Sequence, residues 1–312
     1  SLINARKPTP LDEAKNIIHL LRHVYYEAVG ELYATIKKNV PNTIFNCPQI
    51  IQLGFWPGGD RDGNPFVTSE TTNDVADELR MSLMKCYYQD VKQLAQKLTF
   101  RGIEAILDNL RTGLYGAMFD PRKTMRYDEI VNPLIGIQAS LIKNYNSLYL
   151  DELETLIDKV NIFKTHFAAL DIRQNHGVHK QTVEGILKQE NLIAHSLDEL
   201  GTSEAIAMLV NADICVHPDQ FDDALIKDTI RTIVQIKQIQ RKNGEEGCNR
   251  YIISHAEDIF SVLFVFCLFR WCGWGKSDLP VDIIPLFESM EGLKNAGSIM
   301  QALFDVPEYH AH

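Results

Sequence analysis

The chain has 312 residues, enough to bury the core of one large domain or two small ones. Its 45% hydrophobic and 23% charged residues are the balance of a globular protein and exclude the disordered and fibrous classes. With 31 basic against 41 acidic residues the formal net charge is -10, which disfavours any general affinity for nucleic acid or an anionic membrane, so an anionic substrate would have to be held by local arginines.

No apolar run approaches the roughly 20 residues that span a bilayer, and the longest, Ile259 to Cys267, reads as a core helix. The cysteines, at 47, 86, 215, 248, 267 and 272, form no CxxC pair and carry no zinc-like histidine spacing, as expected of scattered thiols in a reducing cytoplasm. No charged n-region followed by an apolar h-region opens the chain, so a signal peptide is not expected. Starting at Ser1 without an initiator Met, it reads as an excised piece of a longer protein.

In chain order, Thr9-Pro10-Leu11-Asp12 supplies a hydroxyl cap, a first-position proline and a third-position carboxylate, the start of a helix. Apolar residues then keep helical spacing to about Lys38. A turn through Val40-Pro41-Asn42 precedes a strand predicted over 50–56, which runs into the glycine-rich stretch Gly58-Gly59-Asp60-Arg61-Asp62-Gly63-Asn64-Pro65. Thr68 caps a second long helix reaching about Leu98, and shorter helices are predicted near 101–110, 128–148 and 151–159.

A second strand is predicted over 164–172. Three helices follow between Val178 and Lys242, broken at Asn191-Leu192, Asn211-Ala212 and His217-Pro218. The loop Asn243-Gly244-Glu245-Glu246-Gly247 leads into a third strand at 250–254. The helix at 257–271 is apolar on nearly all sides and is expected to be buried; a fourth strand at 281–287 hands over to a helix at 290–304. There is no internal repeat, low-complexity tract or obvious linker. The pattern is helix-rich α/β with four parallel strands, each presenting polar residues at its C-terminal end, the arrangement by which an α/β barrel assembles a site.

These polar residues admit structural readings. Arg61 can form a self-contained loop network with Asp60 and Asp62 while Asn64 caps a turn. Arg173, at the end of an apolar strand, can be a structural ion pair with Asp171 or another carboxylate. Glu288 can cap the helix that follows it. Trp56 reads as core, and most histidines, such as His19, His23 and His195, as packing or surface residues. A non-catalytic helix-rich scaffold or interaction domain is the alternative to an enzyme, although a scaffold does not require unlike polar groups to converge at four strand ends.

The residues also carry a family resemblance. The Gly58 to Pro65 run, Leu170-Asp171-Ile172-Arg173-Gln174 with His179 after it, Tyr251-Ile252-Ile253-Ser254, and Pro285-Leu286-Phe287-Glu288 followed by Leu293-Lys294-Asn295-Ala296 and Ile299-Met300 resemble phosphoenolpyruvate carboxylase in that order. The opening Arg6-Lys7-Pro8-Thr9-Pro10, with Asp12-Glu13-Ala14 behind it, is similar to the same family. The matches span nearly the whole chain. The resemblance implies a partial TIM-like α/β barrel in which residues 1–312 are a single domain, the central fragment of the family's chain, without its N-terminal and C-terminal catalytic parts. It implies a parent lyase, a cytoplasmic homotetramer, that converts phosphoenolpyruvate and bicarbonate to oxaloacetate and phosphate, feeding the tricarboxylic acid cycle. The cofactor implied is Mg2+ or Mn2+; no nucleic-acid or membrane partner is implied.

Residue by residue, the resemblance implies that Glu288 is a metal ligand, that Arg173 contacts the substrate phosphate, that Arg61 and Asn64 are substrate-side, and that Asp60 and Asp62 support Arg61. His179 carries over as a supporting residue, although Asn175-His176-Gly177-Val178 stand where the family continues with Glu-Ser. The family's second metal carboxylate, an Asp, its upstream catalytic histidine and its mobile arginine loop have no counterpart here, so this piece alone is expected to be inactive. His255 reads as variation, and no catalytic claim attaches to it.

Overall fold

The computed structural model describes residues 8–40, 50–275 and 279–312. Arg6 and Lys7 of the opening run, and Pro41 and Asn42 of the predicted turn, lie outside the described residues. The chain divides into two compact units, residues 1–57, 74–169 and 239–247 in one, and 58–73, 170–238 and 248–312 in the other.

The first unit is almost wholly helical. Helix α1 (Pro10–Leu20) starts on the predicted cap: the Asp12 N–H donates to Thr9 Oγ1 at 3.2 Å and the Thr9 N–H donates to the Asp12 carboxylate at 3.0 Å. One wide π-helical turn, Leu21–Tyr25, separates it from α2 (Tyr26–Asn39), so the single long helix of the sequence reading is two helices in line. Helices α3 (Ser69–Lys97), α4 (Ile103–Ala117), α5 (Tyr127–Asn144) and α6 (Leu150–Phe163) follow. Tyr26 stacks on Phe163 at 5.3 Å, and buried Lys159 sits over the Tyr26 ring at 4.3 Å while pairing with Asp90 and Glu27.

Strand formation here is shorter than predicted. The 50–56 segment gives only β1 (Gly54–Phe55), beside β2 (Ala169–Leu170). The predicted 164–172 strand does not start at 164, because Lys164 (φ 49°) and Phe167 (φ 69°) adopt left-handed backbone that no extended strand accommodates. Trp56 is 47% exposed rather than core.

In the second unit, β3 (Ile172–Asn175), β4 (Arg250–Ser254) and β5 (Asp282–Pro285) form one parallel sheet in the order β3-β4-β5. The register pairs Asn175 with Ser254 and Ile253 with Pro285, so the residues just past each strand lie at one end of the sheet. The glycine-rich loop joins the free side of β3 through a single parallel bridge, Asp60 to Arg173, in which the Arg61 N–H donates to the Arg173 carbonyl at 2.8 Å and the Arg173 N–H to the Gly59 carbonyl at 3.0 Å. A side chain at Gly59 would put its Cβ 2.0 Å from the Asp171 carbonyl oxygen, so the close approach requires glycine; Gly58, at φ 82°, makes the turn into it. The strands predicted at 250–254 and 281–287 are thus parallel neighbours, as β4 and β5, while their partner β3 begins only where the predicted 164–172 strand ends.

The parallel strands are joined by helices, as they must be. α7 (His176–Gln189), α8 (Thr202–Asn211) and α9 (Ala224–Asn243) follow β3; α10 (Ile259–Trp271) follows β4; α11 (Met290–Phe304) and a short α12 (Pro307–Ala311) follow β5. The breaks fall where the sequence placed them, and α10 is buried along nearly its whole length, packed against α7, α8, α11 and β5. The architecture is helix-rich α/β with small parallel sheets; among the described residues they do not close into a barrel. Cys86, Cys215, Cys267 and Cys272 carry free thiols. No described helix is long and apolar enough to cross a membrane.

Candidate functional site

Four polar side chains meet at the C-terminal end of the β3-β4-β5 sheet. Arg173, on β3, directs Nη1 at the Asp60 carboxylate (3.0 and 3.3 Å) and Nη2 at Asp62 Oδ2 (3.1 Å), with Glu288 Oε2 3.7 Å from the same nitrogen. Its side chain is only 16% exposed. The Asp171 carboxylate pairs with Arg250, 2.6 Å away. The carboxylates around Arg173 come from the glycine-rich loop and from the end of β5.

Asp60 and Asp62 therefore flank Arg173 rather than Arg61. The cause is strand alternation: once the Asp60 bridge fixes the register, neighbouring side chains leave on opposite sides, and Arg61 points away from its own loop partners. It is 9% exposed and its guanidinium is held by Asp228 and Thr232 of α9. Burial lowers the Arg61 pKa below the ordinary guanidinium value, and Tyr251 opposes that shift. Asn64 stands at a turn as expected, its Oδ1 accepting from the Phe66 N–H at 3.1 Å. An open cleft of ≈ 890 Å³ runs beside it, lined among others by Arg61, Asp62, Asn64, Asn175 and Asp228.

Glu288 is not a helix cap. Ser289 caps α11, its hydroxyl accepting from the Gly292 N–H at 3.0 Å, which leaves the Glu288 carboxylate turned back to the sheet end. Its Oε1 accepts from the His255 N–H at 3.0 Å and lies 3.1 Å from His255 Nδ1. Asn175 completes the cluster: its Oδ1 caps α7 through the Gly177 N–H at 2.9 Å while Nδ2 reaches Asp62 Oδ1 and His255 Nδ1, each at 3.4 Å.

Two histidines exchange the standing that the sequence gave them. His179 is fully buried, with Nε2 against the Tyr251 hydroxyl at 3.0 Å, and burial, helped by His176 and Arg61, pushes its pKa down to about 3. It is a neutral core residue and takes no part in the cluster. His255, read from sequence as mere variation, sits in the middle of it, in left-handed backbone at φ 55°. The signal available was its place one residue past a strand end. Asp62, His255 and Glu288 each offer a ligand atom, all within 4.8 Å of one another, so the donor set fits a divalent cation.

A family model described as phosphoenolpyruvate carboxylase matches residues 1–118 and 117–312, the whole of the chain. The chain belongs to the phosphoenolpyruvate carboxylase family. Relatives include the phosphoenolpyruvate carboxylases of a Synechococcus strain, 28% identical over 97% of this chain and 35% of the relative, of a Synechocystis strain, 27% identical over 98% and 36%, and of Vibrio atlanticus, 25% identical over 99% and 38%. The chain spans little more than a third of the length of these relatives. Family membership agrees with the resemblance carried by the motifs, and the loop, β3 and β5 motifs are the stretches that build the cluster.

Proposed function

We propose that this chain supplies the phosphate-side and metal-side part of the active site of a phosphoenolpyruvate carboxylase, a lyase that joins bicarbonate to phosphoenolpyruvate and releases oxaloacetate and phosphate, an anaplerotic step feeding the tricarboxylic acid cycle. The observation that carries this reading is Arg173 poised among Asp60, Asp62 and Glu288, drawn from three separated segments to one sheet end. In the complete protein the parallel strands would be consecutive staves of a TIM-like barrel, with residues 1–312 as the central part of that one domain, in a cytoplasmic homotetramer.

Arg173 offers a planar fork suited to the transferring phosphoryl group, and the carboxylates beside it fix the plane of that fork. Asn64 and the buried Arg61 line the cleft next to it and would shape the substrate's approach. His179 has no direct role, because its imidazole is spent on Tyr251 in the core. Glu288 would hold Mg2+ or Mn2+, together with Asp62 and His255. When bound, that cation would polarise the substrate's oxygens and stabilise negative charge developing on them. The chain's own residues do the rest: they orient the phosphate and exclude water from one wall of the site.

The test is Arg173→Lys in the complete protein. An ammonium keeps the charge and loses the fork, so kcat/KM for phosphoenolpyruvate falls while the fold is retained; unchanged kinetics would show that the phosphate is held elsewhere.

A further inference from the structure

We infer that Cys215 and Cys272 form a dithiol pair that hydrogen peroxide oxidises reversibly to a disulfide, a modification site that clips residues 212–217 to the C-terminal end of α10. The last turns of α10 are stitched to the chain that leaves α8. Cys267 Sγ donates to the Leu209 carbonyl at 3.5 Å, Arg270 Nη1 to the Val210 carbonyl at 3.1 Å, and the Val216 N–H to the Trp271 carbonyl at 2.9 Å. The third of these bonds lies between the two cysteines. Cys215 shares the peptide group that donates it and Cys272 the peptide group that accepts it, so covalent geometry keeps their Cα atoms within about 8 Å of each other. Val216 and Trp271 are both buried, which anchors the contact from either side.

A disulfide needs Cα atoms roughly 4.4–6.8 Å apart, so closure asks for a shift of about 1–2 Å at most. Residues 212–217 can supply it, because they belong to no helix or strand and Cys215 is exposed. Gly273, at φ 83°, turns the chain immediately after Cys272. Cys86, Cys248 and Cys267 are buried, and burial pushes each of their pKa values up to about 12, which keeps those thiols protonated and unreactive.

The two thiols take different parts. Cys272 is half-buried, and burial, with Cys215 adding to it, pushes its pKa up to about 12, so exposed Cys215 is the first to meet peroxide. The Cys215 thiolate displaces hydroxide from hydrogen peroxide and becomes a sulfenic acid; the proton given up by Cys215 converts that hydroxide to water. The Cys272 sulfur then attacks the sulfenic sulfur, and its proton leaves with the displaced hydroxide as a second water. Two thiols lose two electrons and two protons, and one peroxide is reduced to two waters. The clip lies away from the cluster around Arg173: β4 ends at that cluster and α10 runs back from it for 13 residues, about 20 Å. Its effect is therefore on stability, through a long loop closed in the unfolded chain.

The experiment treats the purified 312-residue chain with hydrogen peroxide and maps its thiols by mass spectrometry of a non-reduced digest. Wild type is expected to give peptides joined through Cys215 and Cys272, lighter by two hydrogens and separated by dithiothreitol. The melting temperature is expected to rise by about 5 °C or more on oxidation and to return on reduction. Cys272→Ser is expected to leave a sulfenic acid on Cys215 that dimedone traps, whereas Cys215→Ser gives neither the linkage nor the rise. Cys215 is exposed, so Cys215→Ser keeps the fold and carries the test if Cys272→Ser does not fold. Oxidation of wild type that stops at a sulfinic acid on Cys215, linkage of Cys215 to any other cysteine, or no reaction at Cys215 would overturn the pairing. Linkage without a rise in melting temperature would overturn the clip.

Discussion

Asp60 and Arg173 are joined twice, by a parallel backbone bridge and by a carboxylate to guanidinium contact of 3.0 Å, although 113 residues separate them. The backbone bridge is what makes the side-chain contact possible, because it places the two residues side by side on one edge of the sheet. Asp60 thus fixes the direction of the arginine side chain. In the complete protein, Asp60→Asn is expected to lower kcat/KM for phosphoenolpyruvate by about tenfold, less than Arg173→Lys, with the loss mainly in KM. Steady-state kinetics of the two variants together check this; equal kinetics for Asp60→Asn and wild type would remove Asp60 from a positioning role.

Arg61 makes a structural prediction. Its guanidinium is buried, and Asp228 of α9 is the carboxylate that pairs with it. Asp228→Asn leaves that charge buried with a weaker acceptor and is expected to destabilise the fold by about 1–3 kcal/mol, read as a shift in urea midpoint. If Asp228→Asn left the midpoint unmoved, the pair would be a surface contact of no consequence.

What the sequence could and could not disclose follows from the range of each interaction. Helices were legible because their signals are local: the Thr9 box, the breaks at Asn191-Leu192 and Asn211-Ala212, and the all-round apolar α10 each announce themselves within one or two turns. Strand bounds were less so, since the apolar run at 164–172 hides the left-handed residues Lys164 and Phe167 that delay pairing. The site was half legible. Arg173, Asp60, Asp62 and Glu288 do converge, as their strand-end positions suggested, but which carboxylate serves which arginine depends on a register set across more than 100 residues of chain. The Thr232 hydroxyl that holds Arg61 is 171 residues away and left no trace in the local pattern. That His179 lies in the core against Tyr251 while His255 lies beside Asp62 and Glu288 could not be read locally, because burial is a property of the fold.

His179 gives the pH prediction. Burial holds its folded-state pKa at about 3, whereas in the unfolded chain it takes the ordinary histidine value near 6.5. Below about pH 6.5 the unfolded state therefore binds a proton that the native state refuses. Stability is full above that pH and falls as the pH drops toward 3. His179→Gln keeps a polar partner for the Tyr251 hydroxyl and removes this proton uptake, so the decline in urea midpoint between pH 7.5 and pH 5 should be smaller in the variant than in wild type. An identical decline in both would mean that His179 titrates normally in the folded protein.

The last prediction is that the 312-residue chain, by itself, does not carboxylate phosphoenolpyruvate. It matches only 35 to 38% of the length of the carboxylases from Synechococcus, Synechocystis and Vibrio. The resemblance implies counterparts of the family's metal glutamate and phosphate-side arginines in Glu288, Arg173 and Arg61, and none of its catalytic histidine or mobile arginine loop. The cluster around Arg173 lies at a sheet end beside an open cleft of ≈ 890 Å³, to which water would have access. A reactive carboxyphosphate or enolate formed there would be quenched by that water before the carbon-carbon bond closed. Groups that act as a unit lose orders of magnitude together when some are missing, so partial assembly gives no proportionate activity. A coupled oxaloacetate assay with Mg2+, Mn2+ and bicarbonate on this chain, beside the complete protein, is expected to read background in the first and turnover in the second. Comparable turnover in the two would place the essential catalytic groups within these 312 residues.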